Sequence, residues 1–198
     1  MPEIQADSQR LELFSKDFPS SLSLRIHNFE QTNDLIKFVK GCEKLIRLST
    51  EYKEWKDYLT SVLQDNYCFI TMETMDQVSV EIHHHIPSLF SLVRSVVNKK
   101  IDEKESFCSF DICLEAMSIH FCNQVGYVPL VKTLHEKFHN NFLQIPISLV
   151  KGDYQTYLNN YGKYLDDEDW NIIDERMLVK TSNCTWSKDN YPGLEQVV

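Results

Sequence analysis

Two short segments hold five of the seven histidines in the chain. His83, His84 and His85 stand in a row in VSVEIHHHIP, and His135 and His139 lie four apart in VPLVKTLHEKFHNN. Neutral imidazole is the commonest protein ligand for transition metals and the side chain best placed to move a proton near pH 7. Residues four apart on a helix share a face, so His135 and His139 can reach one ion. Successive strand residues point to opposite faces, so the run of three puts a ring on each side. A metal ligand and a proton acceptor can then be immediate neighbours. The chemistry such a set supplies is binding of a divalent metal and activation of water.

The remaining pattern shows what must position these rings. Leu35, Phe38, Val39, Cys42, Leu45 and Ile46 recur at helical spacing and predict a helix over 33–48. Trp55, Leu59, Val62 and Leu63 predict a second over 50–64. Upstream, Leu22, Leu24 and Ile26 alternate as in a strand. Cys68, Ile70 and Met72 alternate too, as do Val78, Val80 and Ile82 after a polar turn, which predicts a β-hairpin. His83 then shares a face with Ser79 and Glu81, and His84 lies on the other. Pro87 ends the strand. Leu89, Leu92, Val93, Val96 and Val97 predict the next helix, and FDICLEAMSIHFCNQ another, capped by Ser109 or Asp111. VPL leads into the histidine helix. One or two tail helices follow, with the carboxylates of Asp166, Asp167, Glu168 and Asp169 at a helix start. The predicted class is α+β, mostly helical with a central β-hairpin. Three regions are expected: a helical 1–65, a central 66–141 and a helical tail 142–198.

A net charge of −9 argues against a surface that coats polyanions. It leaves room for a local basic groove from Lys99, Lys100, Lys132 and Lys137. No apolar run approaches the roughly 18 residues of a membrane span. The N-terminus lacks the basic start and apolar run of a secretory signal, so a cytoplasmic location is expected. None of the six cysteines forms a CxxC pair, which excludes a zinc ribbon and predicts free, largely buried thiols.

On His83-His84-His85-Ile86-Pro87 and VPLVKTLHEKFH, residues 66–141 resemble the HNH (ββα-metal) nuclease family. HHHIPSLFSLV and GYVPLVKTLHEKFHN are also similar to small phage proteins of HNH-like type. The resemblance implies an HNH-like ββα metal motif and a metal-dependent endonuclease, with DNA as the nucleic-acid partner. It makes His83, His135 and His139 the metal set and His84 the general base. Glu81, His85 and His120 would orient these groups. The cofactor would be a divalent metal, Zn, Mg, Mn or Ni. Gly126 stands where that family usually has an asparagine, and its ribbon cysteines are missing. The alternative is a non-catalytic viral structural or interaction protein, with or without metal, acting on a protein partner in the host cytoplasm.

Two other readings remain open. His135-Glu136-Lys137-Phe138-His139 matches HExxH, in which Glu136 would be the base. No histidine follows it to complete a zinc site, and it leaves His83 to His85 unexplained. His120 lies in an apolar helix and reads first as a satisfied core histidine, with support of the metal site as the alternative.

Overall fold

The computed structural model describes residues 32–180. The strand expected at Leu22–Ile26 lies outside them, as does His27. Helices α1 (Thr32–Leu48) and α2 (Thr50–Ser61) follow the apolar spacing. Ser49 separates them and caps α2, its hydroxyl accepting from the Tyr52 amide at 3.1 Å. Strand β1 (Val80–Ile86) leads to α3 (Leu89–Asp102), which Ser88 caps in the same way. Helix α4 (Ser109–Phe121) starts from Cys108, whose amide donates to the Asp111 carboxylate at 2.8 Å. Strand β2 (Gly126–Val131) runs directly into α5 (Lys132–His139). Helices α6 (Tyr154–Tyr161) and α7 (Asp167–Met177) close the described chain. The architecture is α+β, with seven α-helices and one two-stranded antiparallel sheet among the described residues.

The expected hairpin is not formed. β1 pairs instead with β2, from Val80 opposite Val131 to His84 opposite Tyr127. The Cys68–Met72 stretch has the period of a strand but closes on itself. The Met72 amide donates to the Cys68 carbonyl, and Met72 takes a left-handed φ of 62°. Cys68, Phe69 and Ile70 are buried against β2 rather than extended beside β1. GYVPLV is apolar throughout and buried at every position, so it is the better partner for a central strand. VPL is therefore strand, and it leads directly into the histidine helix as expected. The outer edge of β2 is covered by the Phe69 amide, bonded to the Pro129 carbonyl, and by Lys151, paired with Tyr127.

Gly126 has a packing reason for lacking a side chain. The register slips between His84 and Ile86, which sets Gly126 against Ile86. A Cβ there would lie 2.7 Å from the Ile86 carbonyl oxygen.

The sheet separates two cores. Ile86 and the partly buried Ile82 face the larger one, with Trp55 and Leu59 of α2, Val93, Val96 and Val97 of α3, and Ile112 and Ala116 of α4. On the other face, Val128 and Leu130 pack with Leu134 of α5, Leu143 and Ile145. The acidic run does start α7. Asp166 accepts from the Asp169 amide, and both carboxylates hold Arg94 of α3 at 2.7 and 2.6 Å.

Candidate metal centre

The alternation of β1 divides the histidine run. His83 and His85 point toward α5 and α7, and His84 points into the larger core. On the first side, the His83 ring lies 4.9 Å from the His135 ring and 5.3 Å from the His139 ring, centre to centre. One nitrogen from each of the three rings lies within 4.8 Å of the other two. His135 and His139, one turn apart on α5, bring their Nε2 atoms to 2.9 Å.

Glu81 completes the geometry. It shares a face with His83, and its carboxylate accepts from His135 Nδ1 at 2.6 Å. That bond places the His135 proton on Nδ1 and leaves the Nε2 lone pair facing His139 and His83. A carboxylate behind a ligating histidine is the usual support of a metal site. His83 is buried, with no hydrogen-bond partner at Nε2. Burial, followed by its histidine neighbours, holds its pKa far below the ordinary value. Burial, and then the proximity of the His135 ring, lower that of His139 as well. Both rings are thereby kept in the neutral form a metal requires.

The donor set fits a divalent ion. Bonds of about 2.0–2.1 Å in tetrahedral geometry put ligand nitrogens about 3.3–3.4 Å apart. The observed separations, 2.9 Å between His135 and His139 Nε2 and none above 4.8 Å within the set, bracket that value. Three imidazoles suit zinc, nickel or copper rather than magnesium, which takes oxygen ligands.

His84 and His120 form a different unit on the opposite face. His120 Nδ1 donates to the Ala116 carbonyl at 2.6 Å, so its Nε2 is an acceptor. His84 Nε2 donates to it at 2.9 Å. The remaining His84 nitrogen, Nδ1, then accepts from the Tyr52 hydroxyl at 3.4 Å. Burial pushes that hydroxyl up to about 12 and keeps it a donor. The two rings lie against Trp55, with centroids at 5.4 and 4.7 Å. Burial pushes both histidines down, His120 to about 4. Every nitrogen of this relay is used in the neutral state, and His84 keeps no free lone pair. The expected general base is thus a core residue, and His120 supports His84 rather than the three converging imidazoles.

Several expected neighbours stand elsewhere. Lys99 and Lys100 are paired with Glu115 on α4, so the expected basic groove is not assembled from them. Glu136 of the HExxH match is exposed, and the carboxylate that meets His135 is Glu81. Five cysteines of the described residues are free thiols. Sequence reasoning missed Arg176, which donates to the His85 carbonyl and lies 5.2 Å over the Phe138 ring. A lone arginine in a tail helix gives no local signal of that placement.

A family model for bacteriophage G278-like virion proteins matches residues 3–195. The chain belongs to that family. No curated protein and no solved structure gave a match. The match spans the whole segment that resembles HNH nucleases and overturns that resemblance, since the family is one of virion proteins. The endonuclease and hydrolase reading goes with it, and so do the base role of His84 and the reading of Gly126 as a lost asparagine. Membership of a virion-protein family points to protein partners. No described helix is long and apolar enough to cross a membrane.

Proposed function

We propose that this protein is a non-catalytic component of the phage particle that works by binding other proteins, and that its fold is clamped by one divalent metal. The observation that carries the reading is the virion-family match from residue 3 to residue 195. The metal part is supported by the three converging imidazoles and by Glu81 behind His135. His83 belongs to β1 and the other two ligands to α5, so the ion joins strand to helix across the smaller core. It supplies cross-linking there, in the way structural metal sites add to folding free energy. The imidazole set favours zinc or nickel over magnesium and manganese. Synthesis in the host cytoplasm, where thiols stay reduced, agrees with the free cysteines.

Mass spectrometry of gradient-purified particles tests the reading. The protein should band with the capsid at a fixed copy number and survive a high-salt wash. Its recovery only in the soluble lysate would overturn the assignment to the particle. The same fractions, analysed for zinc and nickel, test the metal part separately.

A further inference from the structure

A cleft of about 450 Å³ opens between α5 and α7, beside the metal centre. Its walls are unlike in character. Phe138, Leu143, Ile145 and Ile172 make an apolar side. The polar side carries the guanidinium of Arg176 and the ring of His85. His85 is 1% exposed, lines the cleft, and has no hydrogen-bond partner at either ring nitrogen. A buried imidazole left in that state is costly unless a ligand meets it. Arg176 meets no carboxylate in an ion pair among the described residues. One of its donors serves the His85 carbonyl, and the rest of the fork is available.

We propose that this cleft binds a carboxylate carried on an apolar protein segment of a partner. The carboxylate lies between the Arg176 guanidinium and the His85 ring, and the apolar body lies against Phe138, Ile145 and Ile172. A planar carboxylate matches the guanidinium fork. The exposed Glu175 carboxylate also lines the cleft and attracts Arg176, so it weakens binding of any anion and that of dianionic phosphate more than that of a monoanion. The volume is in the range of about 300–1,000 Å³ that holds one small group rather than a folded surface. A partner among virion proteins would insert a single acidic or terminal residue here. Arg176 and His85 lie outside the three-nitrogen set, but His139 of that set also lines the cleft, so binding is read both in chelator and with zinc.

The test is side-chain NMR of the histidine rings in the full chain, in chelator and again with zinc. The probes are N-acetylleucine, N-acetylleucinamide and inorganic phosphate. N-acetylleucine should shift the His85 ring saturably, with a Kd of about 1 mM. The amide should bind at least roughly tenfold more weakly, since it lacks the charge. Phosphate should not compete. Arg176→Met should abolish the shift. Ile172→Asp, at a partly exposed rim position, should do the same without touching the hydrogen bond to His85. An unchanged His120 resonance reports that each variant is folded. Equal binding of acid and amide, tighter binding of phosphate, no saturable shift, or full binding by Ile172→Asp would each overturn the proposal.

Discussion

Glu81→Gln separates a metal centre from a chance meeting of histidines. Glu81 is substantially exposed, and among the described residues its one hydrogen-bond partner is the His135 ring. An exposed pair of that kind contributes about 0–1 kcal/mol, so the metal-free variant should melt close to the parent. With metal the same carboxylate fixes the tautomer and angle of a ligand. Loss of such a support costs about 10–100-fold in affinity. At a free zinc concentration about 100 times the parent Kd, binding stabilises the parent by about 2.7 kcal/mol. For a chain of this size that is roughly 5–10 °C in Tm. The variant, at the same zinc, retains about 0.4–1.4 kcal/mol, roughly 1–5 °C. The assay is a melting curve by circular dichroism with zinc or with chelator. Equal zinc shifts in parent and Glu81→Gln would refute the role of Glu81, and no shift in either would refute the site.

The core relay and the strand register give three further expectations. His84→Ala removes a buried ring and strands His120 Nε2, so urea unfolding should show a loss of about 2–4 kcal/mol, with or without zinc. Gly126→Asn should not confer any new chemistry. It forces a Cβ against the Ile86 carbonyl and should cost about 1–3 kcal/mol in the same assay. His120 has a folded pKa of about 4 against about 6.5 in the unfolded chain, so the unfolded state takes up the proton first. Its contribution is present above pH 6.5 and is lost as pH falls toward 4, by about 1.4 kcal/mol per pH unit. His120→Gln should flatten the acid limb of a stability–pH curve, and an unchanged slope would contradict the burial of a neutral ring.

Much of the site was legible because it depends on local periods. Alternation along β1 put Glu81 and His83 on one face and His84 on the other. Helical spacing put His135 and His139 together. The acidic start of α7 followed from the fit of carboxylates to a helix N-terminus. What could not be read was non-local. The Cys68–Met72 stretch had a strand period but turns back on itself, while β2 begins forty residues after β1 ends and showed no alternation because both its faces are buried. The relay of Tyr52, His84 and His120 joins three elements that no spacing connects. His85 and Arg176 meet only because α7 docks on β1. The resemblance to a nuclease rested on short strings around the same histidines. It took a strand-and-helix cluster of imidazoles for the signature of a reaction.

The claim that His83, His135 and His139 hold a single ion is tested most directly by X-ray absorption at the zinc edge of the zinc-loaded protein. One zinc per chain, with three imidazole nitrogens at about 2.0–2.1 Å, is the expected result. A sub-stoichiometric ion, or a shell dominated by sulfur at about 2.3 Å from the free cysteines, would contradict it.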